Sequence, residues 1–205
     1  MQDHQQGDDR RWGLSTYVDY LHRHRQAGTA YDDGIVYNLH RNKVICEAAV
    51  EYYKRNKQTL IIVKKIDHGD IISDLLTATK QFIPHQFIHG SLATEERTEG
   101  LDNFKNGITK VLIASSILDQ GVDIPNIDVL IFASGGNSYI RAIQRVGRGL
   151  RIHDNKDHLT VIDFSDRTNK YLAKHSIERF KTYASERCFT IDIVDCVGEL
   201  VDVHN

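Results

Sequence analysis

Thr59-Leu-Ile-Ile-Val63 is a continuous β-branched and apolar run, with none of the alternation of a strand that shows one face to water. Lys110-Val-Leu-Ile-Ala114, Asp128-Val-Leu-Ile-Phe-Ala133 and His158-Leu-Thr-Val-Ile-Asp-Phe164 repeat that signature, and Gln86-Phe-Ile-His89 is a shorter version of it. Runs of this kind belong to a parallel sheet covered on both faces. Between them the period changes to that of amphipathic helices. Arg41 to Arg55 puts Val44, Ile45, Ala48, Ala49 and Tyr52 on one side, and residues 67–80 do the same with Ile71, Ile72, Leu75 and Leu76. Thr94 to Asn106 is a third helix, with Thr94 as its N-cap and T-x-x-R in place of the favoured T-x-x-E. Asn169 to Arg187 is a long fourth, and Phe189 to Val194 offers a sixth strand. Strands spaced roughly 20–30 residues apart and alternating with helices predict an α/β fold. Its sheet is doubly wound, mainly parallel and five- to six-stranded, with helices on both faces.

Right-handed crossovers bring every strand's C-terminal end to one edge, where ligands bind in such sheets. The polar punctuation of the chain falls there. His89-Gly90, Ser115-Ser116, Gly135-Gly136 and Asp163 each follow a strand. After the third strand, Ser115-Ser116-Ile-Leu-Asp-Gln-Gly121-Val-Asp123-Ile-Pro125 carries two hydroxyls for phosphate oxygens, a glycine for close backbone approach and a carboxylate for a sugar hydroxyl. His89-Gly90-Ser91 leads into a helix N-terminus, an anion site by geometry, although Ser91 equally suits a plain cap. His68-Gly69, after the first strand, reads as a solvated helix start.

Gln144 to Arg151, QRVGRGLR, has three arginines and two glycines in eight residues. On a helix, Gln144, Arg148 and Arg151 fall at i, i+4 and i+7, so an amide and two guanidiniums share a face. Guanidiniums grip phosphate with paired donors, and the same pattern also suits a solvated basic helix end.

What is missing bounds the chemistry. There is no G-x-x-x-x-G-K-[ST] phosphate loop, no acidic pair after an apolar strand and no G-x-S-x-G. The chain has arginines for a phosphate and nothing to position an attacking water. Cys46, Cys188 and Cys196 lie far apart and read as reduced thiols of a cytosolic protein, and no metal-site spacing occurs among the 11 histidines. No apolar run approaches the ~18 residues of a membrane span. A net charge of −2 excludes nucleic-acid binding by bulk charge but not through a local basic groove.

In order and spacing, these motifs resemble the C-terminal RecA-like lobe of superfamily 2 helicases and translocases, with the phage UvsW-type and XPB/RecG-type DNA helicases nearest. The resemblance covers residues 34–187. Thr59 to Gly69 resembles motif IV, Val111 to Pro125 motif V, and Gln144 to Arg151 motif VI in its Q-x-x-G-R-x-x-R form. It implies that Arg148 and Arg151 are arginine fingers reaching the γ-phosphate of ATP, with Gln144 sensing that phosphate. Gly121, Asp123 and Arg145 would touch the nucleotide. His89, Gly90, Ser91, Ser115 and Ser116 would contact the nucleic-acid backbone, Ser115 standing where the family has a threonine.

The resemblance further implies ATP and Mg²⁺ held mainly by an N-terminal RecA-like lobe that is the partner of this one, a DNA strand (RNA not excluded), and a cytoplasmic setting. Residues 1–33 are expected as a polar, disordered start and an arm continuing from that other lobe, 34–187 as the RecA-like domain and 188–205 as an extension; between Ser15 and Asn38 the sequence reads as one short helix near 15–26 and then a connecting segment. An excised lobe is the favoured expectation. A stand-alone half-helicase that binds nucleic acid or a partner motor is the alternative.

Overall fold

The three central runs lie side by side at the middle of the sheet, because each can bury both faces. The computed structural model describes residues 29–79, 83–115, 127–136, 158–185 and 190–194. Strands β1 (Thr59–Val63), β3 (Val111–Ser115) and β4 (Val129–Phe132) are buried at every position. They are flanked by β2 (His85–Ile88) and β5 (Thr160–Ile162), which are half-buried, as edge strands must be. The order is β2-β3-β1-β4-β5 and all four pairings are parallel. Residues 190–194 contain no strand, only a single bridge at Val194, so the sheet among the described residues has five strands.

The pleat sorts side chains into two cores. Ile61, Val63, Ile113, Val129 and Ile131 pack with Ile45, Cys46 and Ala49 of α1 (Leu39–Lys54) and Ile71, Ile72, Leu75 and Leu76 of α2 (Ile66–Thr77). On the opposite face, Leu60, Ile62, Leu112, Leu130 and Phe132 pack with Phe104 of α3 (Thr94–Lys105). The doubly wound α/β expectation therefore holds. Tyr183, on α4 (Lys170–Ser185), packs against this second core.

Two expected helix starts differ from those observed. Thr94 is the first residue of α3, not its cap; Ala93 occupies the cap position, and its N–H donates to the Glu96 carboxylate at 3.2 Å. The acid one residue before Arg97 supplies the reciprocal half of a capping box, which a reading fixed on Thr94 misses. His68 is not solvated either. It is fully buried, and its neighbour Gly69 lets α2 approach β2 so closely that an added Cβ would sit 2.1 Å from the Phe87 ring.

Residues 28–38, expected as a connecting segment, contain a π-helix at Asp32–Val36 closed by Tyr37 N–H donating to Asp32 O at 2.8 Å. Thr29 and Asp32 cap its entry reciprocally: the Asp32 N–H donates to Thr29 Oγ1 at 3.3 Å, and the Thr29 N–H donates to Asp32 Oδ2 at 3.2 Å. Asn38 then caps α1, accepting from Arg41 N–H at 3.1 Å. Ile35 and Val36 are fully buried. On the N-terminal side of the expected boundary at residue 33, Asp32 pairs with Lys65 and the Tyr31 hydroxyl donates to Ser134 O.

Candidate functional site

The strand order splits the C-terminal edge of the sheet into two parts. On one side, register places Ile88 of β2 beside Ala114, and Ser115 beside Val63. The turn His89–Gly90–Ser91 and the end of β3 therefore lie on adjacent strands. Gly90 and Ser91 are exposed, and nothing lies within 4 Å of a Cβ built on Gly90, so this turn is open to a large ligand. Ser91 lies two residues before the helix cap and does not cap α3. The His89 ring stacks obliquely on Phe87 at 4.8 Å, and its Nδ1 is buried without a hydrogen-bond partner. Ser115 is buried, 6% exposed.

On the other side is the exit of β4. The connection from β1 leads to one side of the sheet, toward β2, and that from β4 to the other, toward β5. Neighbouring strands whose connections diverge in this way form the crevice in which doubly wound sheets bind ligands. Past the last ladder pairs, Ile62–Phe132 and Ile131–Ile162, the β4 carbonyls have no strand partners and must be satisfied otherwise. Side chains from three elements do this. Arg41 on α1 donates from Nη1 to Ala133 O at 2.6 Å and from Nη2 to Phe132 O at 3.5 Å. Tyr31 donates to Ser134 O, and Arg179 on α4 donates from Nη1 to Gly136 O at 3.2 Å. Gly135 and Gly136 have φ of +56° and +78°, and an added Cβ at Gly135 would meet Ile35 Cδ1 at 3.0 Å and Asp166 Oδ2 at 3.3 Å. The left-handed backbone favours glycine at both positions, and at Gly135 the space for a side chain is tight as well.

The two arginines are buried and must be paired. Arg41 Nε donates to Asp166 Oδ1 at 2.7 Å, with both side chains about one-twentieth exposed, and its guanidinium lies 4.6 Å over the Phe164 ring. Arg179 Nε donates to Asp163 Oδ2 at 2.7 Å, and its Nη2 to Phe164 O at 2.8 Å and to Asp166 Oδ2 at 3.5 Å. Burial alone would lower the Arg179 pKa, but the charges of Asp163 and then Asp166 outweigh it and raise it, so the group is held charged. Tyr183 completes the cluster by donating to Asp163 Oδ2 at 2.9 Å. Asp163, expected at the ligand edge, is thus engaged by α4.

Beside Arg41, the Asn42 amide donates to Val36 O at 2.8 Å, which leaves its Oδ1 to accept from His68 Nε2 at 2.9 Å. That fixes a neutral His68 with the proton on Nε2. Burial first, and then the Arg41 charge, push its pKa well below the ordinary 6.5. The sign follows from which state binds the proton. Above about pH 6.5 both states are neutral; below it the unfolded chain takes up a proton that the folded chain refuses, so stability falls with pH. Between pH 7.5 and 5.5 that single proton costs about 1.4 kcal/mol, and His68→Gln, which keeps an N–H for Asn42, is expected to remove that increment. Urea titrations of both proteins at the two pH values would show it. Parallel losses in both would rule out His68 as the source.

The remaining expected site residues, Ser116, Gly121, Asp123, Gln144, Arg145, Arg148 and Arg151, lie outside the described residues, as does the helix expected near 15–26. Among the described residues the structure brings together His89, Gly90, Ser91 and Ser115, and separates them from the β4 exit by β1. Sequence reasoning missed Tyr31, Arg41, Asp166 and Arg179. The capping pattern Thr29-x-x-Asp32 was a signal for the first, and an arginine on the apolar face of each long helix was a signal for two others.

Among the described residues no three Asp, Glu, His or Cys side chains converge as metal ligands. No helix among them is long and apolar enough to cross a membrane.

Residues 40–153 match the family model of the helicase conserved C-terminal domain. The chain is 29% identical over 163 residues to the ATP-dependent DNA helicase uvsW of Enterobacteria phage T4, covering 72% of this chain and 32% of that protein. It is 32% identical over 131 residues to the putative ATP-dependent helicase IRC3 of Saccharomyces cerevisiae, covering 62% and 19%. It is also 32% identical over 105 residues to the ATP-dependent RNA helicase glh-1 of Caenorhabditis elegans, covering 50% and 13%. The chain thus spans a third or less of these relatives. In fold it is similar to T4 UvsW, with a TM-score of 0.57 at 23% identity over 83% of this chain and 37% of that one. The C-terminal domain of the DEAD-box protein Dbp5 gives a TM-score of 0.51 at 21% identity over 68% and 78%.

Proposed function

Because this chain belongs to the helicase conserved C-terminal domain family, the C-terminal lobe of superfamily 2 helicases, we propose that it is one half of an ATP-driven motor that moves along a nucleic-acid strand. The other half is an N-terminal RecA-like lobe that holds ATP and Mg²⁺. When ATP closes the lobes, Arg148 and Arg151 reach its γ-phosphate, Gln144 senses it, and Gly121, Asp123 and Arg145 line the nucleotide. The strand backbone lies along His89, Gly90, Ser91, Ser115 and Ser116. Water cleaves the bond between the β- and γ-phosphates, the γ-phosphoryl group departs as inorganic phosphate and takes with it the charge that the fingers hold, the lobes open, and the strand steps.

One observation carries this reading: the sheet order. It puts the open β2 and β3 ends on one side of β1, and the side-chain-braced exit of β4, which leads toward Gln144, on the other. A strand on the first and a nucleotide on the second can both be held without competing for space. DNA is the strand we favour, because among the three relatives compared the DNA helicase aligns over the greatest length, 163 residues. The Mg²⁺ enters no step assigned to these residues.

The reading predicts that this 205-residue chain alone turns over no ATP, with or without DNA, since it has no phosphate loop and no water-positioning acids. A phosphate-release assay on the purified chain checks it. Sustained turnover that co-purifies with the chain would sink the two-lobe reading.

A further inference from the structure

The exit of β4 owes its shape to side chains rather than to the sheet. From Ala133 to Gly136 the chain has left its last ladder pair and turns through two residues of positive φ. The carbonyls of residues 132, 133, 134 and 136 are each taken by a side-chain donor. A backbone held only by other backbone keeps its course when one side chain changes. This one does not, because each donor removed leaves a carbonyl without its partner. The donors also come from separate places in the sequence: Tyr31 from the segment that precedes α1, Arg41 from the first turn of α1, and Arg179 from the middle of α4.

We propose that Tyr31 and Arg41 are positioning residues for ATP turnover. They fix the backbone at Phe132–Ser134, from which the chain continues to Gln144, Arg148 and Arg151, and so set where the two fingers meet the phosphate. This rests on the reading of those arginines given above. Arg41 suits the task because its fork is shared: Nε is committed to Asp166 while Nη1 holds Ala133 O, which ties the end of β4 to the loop after β5. Lysine can keep the ion pair but cannot span both acceptors. Tyr31 adds a second tie from the chain entering the lobe. Lys64 lies 5.3 Å over its ring, the adjacent Asp32 is anchored to Lys65, and Ile35 of the same segment borders Gly135. A shift of residues 29–36 is therefore felt at the β4 exit.

The test uses the full-length two-lobed protein with Tyr31→Phe, Arg41→Lys and Arg148→Ala, singly and with each of the first two combined with the third. A displacement of about 1 Å at reacting groups costs on the order of 100-fold in rate. Arg41→Lys is therefore expected to lower kcat about 10–100-fold, and Tyr31→Phe about 3–10-fold as one neutral hydrogen bond is lost. The KM for ATP and the DNA affinity of Tyr31→Phe should stay at wild-type values, and its thermal midpoint should fall by no more than the loss of one hydrogen bond allows, so that the protein is fully folded at the assay temperature. In the Arg148→Ala background neither change should lower the residual rate further, because residues acting through one group are non-additive.

Unchanged kcat in both single variants overturns the proposal. So does a kcat loss that merely tracks the folded fraction, or one that recurs undiminished in the Arg148→Ala background. If Arg148→Ala itself turns over ATP at the wild-type rate, the finger reading fails and takes the positioning role with it. Normal kcat in Tyr31→Phe and Arg41→Lys beside an inactive Arg148→Ala overturns the positioning role alone.

Discussion

Arg148→Ala in the two-lobed protein is expected to lower ATP turnover by about 10³–10⁵-fold, and Arg151→Ala to do the same, while DNA binding stays within a few fold of wild type. The asymmetry is what makes the experiment informative. The transferred phosphoryl group spreads negative charge over its equatorial oxygens in the transition state, and a guanidinium that meets it only in the closed state stabilises the transition state and not the open complex. The loss should therefore fall on kcat, with little change in the KM for ATP. On the proposed reading, strand affinity would be built at the other half of the edge, around His89–Ser91 and Ser115, with β1 between Ser115 and the β4 exit. Lysine at either position keeps the charge but loses the planar fork, so partial recovery is expected, well short of wild type. Steady-state ATPase beside fluorescence-anisotropy titrations with single-stranded DNA reads both quantities. Parallel loss of turnover and strand affinity would refute the finger role, because it would place these arginines on the nucleic acid.

The sheet was legible from sequence because its signal is redundant. Thr59–Val63 and Val111–Ser115 are buried on both faces, so every residue carries the same apolar message, and the expected limits agree with the observed ones to within a residue. Edge strands carry less of it. Residues 158–164 were expected as one strand, yet β5 is only Thr160–Ile162, since Asp163 and Phe164 turn to meet Arg179. Buried charge was the least legible feature. Arg41 and Arg179 are among the buried residues of their helices, but a local pattern treats arginine as solvent-facing, and their partners Asp166 and Asp163 are 125 and 16 residues away in sequence. His68 failed for the same reason in reverse, because its cover comes from α1, which no local window includes. At the site, the family pattern named residues on the open turn after β2 and at the end of β3. It did not name the braces of the β4 exit, because they touch backbone carbonyls, which impose no motif on the sequence.

Arg179→Ala is expected to destabilise the chain by about 3–5 kcal/mol, a large part of the ~5–15 kcal/mol that holds a domain together. The side chain is 3% exposed and pairs with Asp163 at 2.7 Å, while its other nitrogens serve Phe164 O, Gly136 O and Asp166. Removing it leaves a mostly buried carboxylate with only the Tyr183 hydroxyl and the Phe164 N–H, takes the side-chain donor from Gly136 O, and leaves Phe164 O with the Asp166 N–H. The cost is mainly that of uncompensated polar groups rather than of a lost contact, which gives the prediction a second arm. Asp163→Asn should recover part of the loss when added to Arg179→Ala, because it removes the stranded charge, although alone it should weaken the wild type. Arg179→Lys should fall between, since one ammonium cannot reach acceptors on two sides of the guanidinium. Guanidinium titrations of the four variants, compared at constant m, give the coupling directly. A loss within about 1 kcal/mol for Arg179→Ala would mean that water reaches Asp163, and that α4 is not what ties the end of β5 to the exit of β4.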